Sequence, residues 1–254
     1  MTLSGAAPTP TTIVFGTDGW RARVADEFTY DNVRRCADGV AAYVVERGET
    51  ARGVVIAYDR RFSSEYFAMA AAEVLLAHDI PVAFAVHAVP TQMSSYEVVE
   101  RGAAAGIVIT ASHNPWVDNG FKVKAPTGAA AGAEILGVIE RRLAVNGGVG
   151  IDRRPFADAE AAGLVERFDP FEGYERYVRR TLDLDALKAA DASILVDPMW
   201  GAGSGWISRL LQRRRTTPIV AAWSSSRRSF HGGPLRPAGS GSLRSGGSAG
   251  RRRR

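Results

Sequence analysis

The sequence predicts an α/β protein: a three-layer α/β/α first domain with a mixed, mostly parallel sheet, then the incomplete start of a second α/β domain and a disordered tail. Three observations carry this. Short apolar runs of strand length alternate with longer segments whose apolar residues recur at helical spacing. The runs at residues 53–58, 80–86 and 105–110 are separated by enough chain for right-handed crossover helices. After residue 212 the pattern stops, and arginine, glycine, serine and proline take over.

The elements follow in order. Residues 13–15 form a short apolar run that reads as a strand. Thr29 can cap a helix to about Arg47, whose apolar face is Val33, Cys36, Ala37, Val40, Ala41 and Val44, with Gly48 as its end. The strand 53–58 is followed by a helix that Ser63 or Ser64 can cap. A strand at 80–86 and a helix from Thr91 lead to the strand 105–110. Residues 120–125 alternate in character and follow with only a loop between, which suits an antiparallel edge strand. A helix spans about 134–143. The predicted domains are residues 1–145, a connector at 146–172 rich in glycine, proline and charge, the start of a second domain at 173–212, and a tail at 213–254. Within the second unit, 174–187 reads as helix, 193–196 as strand and 206–211 as helix.

Composition narrows the class. With 254 residues and 46% hydrophobic side chains, the chain can bury a sizeable core. The single cysteine, Cys36, cannot make an internal disulfide, and its apolar surroundings predict simple core packing. The N-terminus lacks a signal-type pattern, and no apolar run reaches the ~18 residues of a membrane span. The expectation is a cytoplasmic protein with no membrane partner. The net charge of +5 is unevenly placed: all 27 acidic residues precede residue 213, and the tail holds arginine without lysine. The body is therefore mildly acidic, and no nucleic-acid partner follows from the whole-chain charge.

Three polar loops follow apolar strands: G-T-D-G-W-R at residues 16–21, D-R-R-F-S at 59–63 and T-A-S-H-N-P at 110–115. In a parallel α/β sheet, loops at the carboxyl ends of strands gather along one edge, where ligands bind. These loops offer hydroxyls, guanidinium groups and backbone N–H donors, a combination suited to phosphate. Lys122 and Lys124 share one face of their strand, so periodicity alone does not choose between them. The glycines at 201, 203 and 205 lack the spacing of a dinucleotide fingerprint, and no P-loop or H-E-x-x-H sequence occurs.

T-A-S-H-N-P followed by D-N-G-F-K at 118–122 resembles the active-site signature of the α-D-phosphohexomutases, which include phosphoglucomutases and phosphomannomutases. F-G-T-D-G-W-R at 15–21 resembles the family's opening motif, and Y-D-R-R-F-S at 58–63 its second, in the expected order. The resemblance covers residues 13–211. It implies an intramolecular phosphotransferase that interconverts hexose 1-phosphate and hexose 6-phosphate, of glucose or mannose, through a phosphoserine and a bisphosphate intermediate. On this resemblance Ser112 carries the transferable phosphoryl group, Lys122 does acid–base work on the sugar hydroxyl, and Arg21 holds phosphate oxygens. His113 orients the nucleophile or assists protonation, or else packs the loop. Thr17, Asp18, Arg61, Asn114 and Asn119 are implied as substrate- or phosphate-binding, with Arg61 open to a structural role and Asp59 as the anchor of the loops. Lys124 is expected to be solvated. The implied cofactors are Mg²⁺, bound in part through the phosphate on Ser112, and a sugar bisphosphate activator.

The family's D-G-D-x-D-R metal loop is absent from this sequence, and no acidic residue follows Asp197. The expectation is a chain cut short by a frame change or premature end near residue 212, with little mutase turnover of its own. The alternative is a non-catalytic sugar-phosphate-binding protein whose basic tail holds nucleic acid or an acidic partner.

Overall fold

The computed structural model describes residues 11–147, 150–190 and 194–211, with the backbone of Val220–Ala221. These belong to one compact unit of residues 1–224; residues 225–254 lie outside the described residues.

A six-stranded sheet forms the middle layer, in the order β1-β5-β4-β2-β3-β6. β2 (Val54–Tyr58), β3 (Val82–Ala85), β4 (Ala105–Ile109) and β6 (Val165–Phe168) run parallel, while β5 (Asp118–Lys124) is antiparallel to both β4 and β1 (Trp20–Arg23). The alternation of side chains along each strand divides the core in two. Val54, Ile56, Ile107, Ile109 and Phe84 enter one cluster, whereas Val55, Ala57, Val108 and Ala85 enter the other. The first cluster is covered by α1 (Tyr30–Glu46), α2 (Ser64–Ala77), α4 (Ala133–Val145) and α5 (Phe156–Ala161). The second is covered by α3 (Thr91–Glu100), α6 (Phe171–Thr181) and α8 (Trp206–Leu211). The predicted three-layer α/β/α architecture with a mixed sheet is what the chain forms.

Thr29 caps α1 as expected, its hydroxyl accepting from the Asn32 N–H at 3.3 Å. Cys36 is fully buried in the first cluster, and burial pushes its thiol well above the ordinary range. α2 departs from expectation: neither serine hydroxyl caps it. Ser63 sits in a left-handed conformation and its hydroxyl meets Tyr30 at 3.2 Å, while Ser64 donates to Asp59 at 2.7 Å. Gly106 lets α3 approach β4, because a Cβ there would lie 2.6 Å from Val98 Cγ2 and 3.1 Å from Lys124 Cβ.

Several other expectations are corrected. Residues 13–15 are not a strand. The chain reverses between Gly16 and Gly19, and the segment after that turn, β1, pairs with β5. β5 is antiparallel as predicted but is not an edge, because β1 lies outside it. Residues 146–172, read as a connector, contain α5 and β6, and β6 extends the main sheet beside β3. Their apolar residues Phe156, Ala159, Val165 and Phe168 are few but well spaced for burial. The single helix expected at 174–187 is two, α6 and α7 (Leu184–Ala189), divided where Asp183 accepts from the N–H groups of Asp185 and Ala186. Of the predicted strand 193–196, Leu195–Val196 forms β7, Ile194 stands before it, and residue 193 lies outside the described residues. The predicted tail lies outside the described residues except for β8 (Val220–Ala221), which pairs parallel with β7.

α1, α2 and α4 are joined by a buried carboxylate. Asp38 accepts from Arg142 Nε at 2.6 Å, Asn146 Nδ2 at 2.6 Å and faces His78 Nε2 at 3.3 Å. Burial alone would raise its pKa, but the hydrogen bonds from His78, Arg142 and Asn146 outweigh it and hold the carboxyl well below the usual range. The stability this gives is present above the unfolded value of about 4 and is lost as pH falls through the lower folded value. Asp38→Asn should therefore destabilise the chain by about 1–3 kcal/mol at neutral pH and flatten its acid-induced loss of stability, as read by urea melts at pH 7 and pH 3. Gly106→Ala should cost about 1–3 kcal/mol by overpacking, measurable as a lower urea midpoint at unchanged slope.

Candidate functional site

The site forms where β2 and β4 end side by side, with Tyr58 opposite Ile109. The two loops that leave these strands are tied by Asp59. Its carboxylate accepts from the Arg61 backbone N–H at 2.9 Å, from Ser64 Oγ at 2.7 Å and from Thr110 Oγ1 at 2.6 Å, and pairs with Arg61 Nε at 3.2 Å. Thr110 Oγ1 in turn accepts from the Ser112 N–H at 2.9 Å.

Arg61 reaches across to the same loop. Nη1 donates to the carbonyls of Pro115 at 2.7 Å and Asp118 at 3.1 Å, and Nη2 to those of Ser112 at 2.9 Å and Asn114 at 2.7 Å. The four terminal N–H groups of a guanidinium are thereby engaged, and Nε faces Asp59. Arg61, implied as phosphate-binding but open to a structural role, commits its donors to the loop. Asn119, also implied as phosphate-binding, is fully buried: its amide donates to Ser64 Oγ at 2.9 Å and its oxygen accepts from the Gly120 N–H at 2.8 Å.

The loop turns outward at Ser112, which has φ 59° and is exposed. His113 is exposed beside it, with Nδ1 3.5 Å from Ser112 Oγ, the outer limit of a hydrogen bond. Both line a cleft of ≈ 690 Å³, together with Asp59, Arg61, Asn114 and Thr110. Its far side is Met199, Trp200, Gly201 and Ala202, and Phe62 and Trp116 stand 75% and 83% exposed at its margin. The Met199 segment is held there by α8. Trp206 stacks on Phe171 at 5.5 Å between centroids, and Trp206 Nε1 donates to Ala202 O at 2.7 Å.

The first loop contributes charge. Thr17 and Asp18 occupy the tip of the Gly16–Gly19 turn, with Thr17 exposed. Gly19 has φ 106°, and a Cβ on it would lie 2.5 Å from the Phe121 carbonyl oxygen, so only glycine lets this turn close on β5. The Asp18 carboxylate binds Lys122 Nζ and lies 3.7 Å from Arg21, whose Nη1 donates to Asn114 Oδ1 at 2.9 Å. Asn114 Nδ2 continues to Asp118 at 3.0 Å. Lys122, Asp18, Arg21 and Asn114 thus form one connected path into the serine loop. Lys124 is buried rather than solvated. Burial lowers its pKa, against the opposing influence of Asp18, and the Lys122 charge lowers it further. Arg21, Lys122 and Lys124 therefore lie near Asp18, with the Asp118 carboxylate joined through Asn114, and the cations outnumber the acids in this network.

A magnesium ion finds no ready cage in these residues. Among the described residues no three histidine, cysteine, aspartate or glutamate side chains converge, and Asp59, the carboxylate lining the cleft, is already engaged by Arg61, Ser64 and Thr110. Sequence reasoning missed Thr110 and Ser64 as members of the network, and Trp116, Met199 and Trp200 as cleft residues. Thr110 lay inside the recognised motif and Ser64 read as a helix cap; Trp116, Met199 and Trp200 carried no signal, because solvent-facing apolar residues in loops follow no period.

The family model of phosphoglucomutase/phosphomannomutase, alpha/beta/alpha domain I, matches residues 12–147. A phosphoglucosamine mutase of Kineococcus radiotolerans is 31% identical over 215 residues, covering 82% of this chain and 46% of that protein. A glucose 1,6-bisphosphate synthase of Mus musculus is 42% identical over 129 residues, covering 46% of this chain and 21% of that protein. Among solved structures, a phosphomannomutase-like protein of Thermus thermophilus aligns with TM-score 0.67 and 32% identity, covering 80% of this chain and 43% of the other. The chain spans less than half the length of these relatives. With its serine loop, its opening turn and the sheet that carries them inside the matched region, the chain belongs to the phosphoglucomutase/phosphomannomutase (α-D-phosphohexomutase) family.

Proposed function

We propose that this chain carries a phosphoryl group on Ser112 and exchanges it with a hydroxyl of a hexose phosphate, the central step of a phosphosugar mutase. The observation that carries this reading is the exposed Ser112 on a braced, left-handed turn that lines a cleft, with Arg21 bound to Asn114 of the same loop. A serine hydroxyl is a weak nucleophile and gains from fixed charge where the transferring group develops it.

In the forward step the bond between Ser112 Oγ and phosphorus breaks as one forms from the sugar hydroxyl oxygen to phosphorus. The hydroxyl proton leaves to a base, a role assigned to Lys122 with Asp18 as its proton partner. Reversal at the other end of the bisphosphate returns a phosphoryl group to Ser112 and the proton to the sugar oxygen. Arg21, held beside Asn114, steadies phosphate oxygens, and His113 orients the Ser112 hydroxyl. Magnesium, which the resemblance implies, would have the phosphate on Ser112 as a ligand but no cage among the described residues, and would neutralise charge at the phosphoryl group. The mouse relative is a glucose 1,6-bisphosphate synthase, and a sugar bisphosphate is the proposed activator and intermediate here, with glucose or mannose phosphate as substrate.

The test is phosphoryl incorporation. Treated with glucose 1,6-bisphosphate and Mg²⁺, the whole chain should gain one phosphoryl group, mapped by mass spectrometry to Ser112. Ser112→Ala should gain none, and equal labelling of that variant would refute the reading. Lys122→Met should still fold and label about 10²–10⁴-fold more slowly.

A further inference from the structure

We infer that Arg61 is the positioning residue of the nucleophile: it fixes the backbone of Ser112 and does not bind the phosphoryl group. The inference rests on the phosphoserine reading of Ser112 but reaches beyond it, because it assigns a cleft arginine to the protein's own backbone.

The geometry leads there by elimination of donors. An arginine facing a phosphate site would hold N–H groups free for oxygen atoms. Arg61 does not. Its Nη groups meet the carbonyls of Ser112, Asn114, Pro115 and Asp118 at 2.7 to 3.1 Å, and Nε faces Asp59 at 3.2 Å. The gripped carbonyls run along the loop from the nucleophile itself to the first residue of β5. A planar fork can hold so many acceptors at fixed angles; an ammonium cannot.

Asp59 closes the arrangement from the other direction. The Ser112 N–H is held by Thr110 Oγ1, whose own hydroxyl donates to Asp59 Oδ2 at 2.6 Å. The same carboxylate oxygen faces Arg61 Nε, and Arg61 Nη2 holds the Ser112 carbonyl. Both peptide groups of Ser112 are therefore tied to one ion pair. Serine does not favour φ 59° by itself. The ion pair supplies the restraint that keeps it there, and the left-handed turn is what sends Oγ out of the loop into the cleft. Arg61 thus acts on reactivity through the aim of Ser112.

The experiment uses the whole chain, labelled with ¹³C and ¹⁵N, as wild type, Arg61→Lys, Arg61→Ala and Thr110→Val. Carbon shifts at Ser112 report its backbone conformation, and signals from β2 and α1 report the fold. In Arg61→Lys the Ser112 shifts should leave the left-handed range while β2 and α1 are unchanged. Thr110→Val, the milder change, loosens only the N–H side and should move them part of the way. Labelling by glucose 1,6-bisphosphate should fall roughly 10²-fold in maximal rate for Arg61→Lys at an unchanged half-saturating concentration, and methylguanidinium should restore part of the rate to Arg61→Ala. Left-handed Ser112 shifts in all three variants would overturn the inference. So would a raised half-saturating concentration at an undiminished maximal rate, since that marks a direct phosphate ligand. If the wild type takes up no phosphoryl group, the functional reading fails for this chain, while the Ser112 shifts still decide whether Arg61 positions it.

Discussion

The ion pair between Asp59 and Arg61 is the constraint on which the site depends. Two parallel strands, β2 and β4, end level with one another, and nothing in a parallel sheet ties the loops beyond their ends. Here a carboxylate from one loop binds the Thr110 hydroxyl of the other, and a guanidinium beside it gathers four carbonyls. The backbone of an irregular loop has polar groups that no ladder satisfies. Arg61 satisfies them while leaving the Ser112 side chain exposed. The loop is thereby ordered without being covered, which a nucleophile in an open cleft requires.

A second layer of polar order lies on the opposite flank of the serine loop. β5 carries Lys122 and Lys124 on the face where Gly106 leaves room beside the strand. Burying cations this way is unfavourable unless a counter-charge is near. Asp18 supplies it, delivered by a turn that closes only because Gly19 has no side chain. Arg21, two residues beyond that glycine, extends the path to Asn114. Shape and charge are therefore set by one short segment, and the opening motif meets the serine motif through it.

Much of this was legible beforehand. Strand runs, the α1 apolar face and the Thr29 cap follow from period and capping chemistry, and they are local. The serine loop was identified from its motif, and the expectation that Asp59 anchors the loops agrees with its hydrogen bonds. The connector was misread because β6 is a short strand with only Val165 and Phe168 buried, so its alternation is too brief to stand out. The segment at 13–15 alternates like a strand, but strand formation depends on which neighbour is free to pair, and the Gly16–Gly19 reversal gives that place to β1.

Arg61, Asn119 and Lys124 mark the boundary between the two kinds of information. The sequence by itself determined the layer architecture, the order of the elements and the chemical types gathered at the strand ends, because these depend on periodicity and on residue identity. Which donors remain free was decided only by the tertiary structure. A guanidinium in a polar loop reads the same whether it faces a phosphate or four carbonyls, and a lysine on a strand reads the same whether that face meets water or a helix. Hydrogen-bond satisfaction and burial are properties of groups distant in the chain, and no local pattern encodes them.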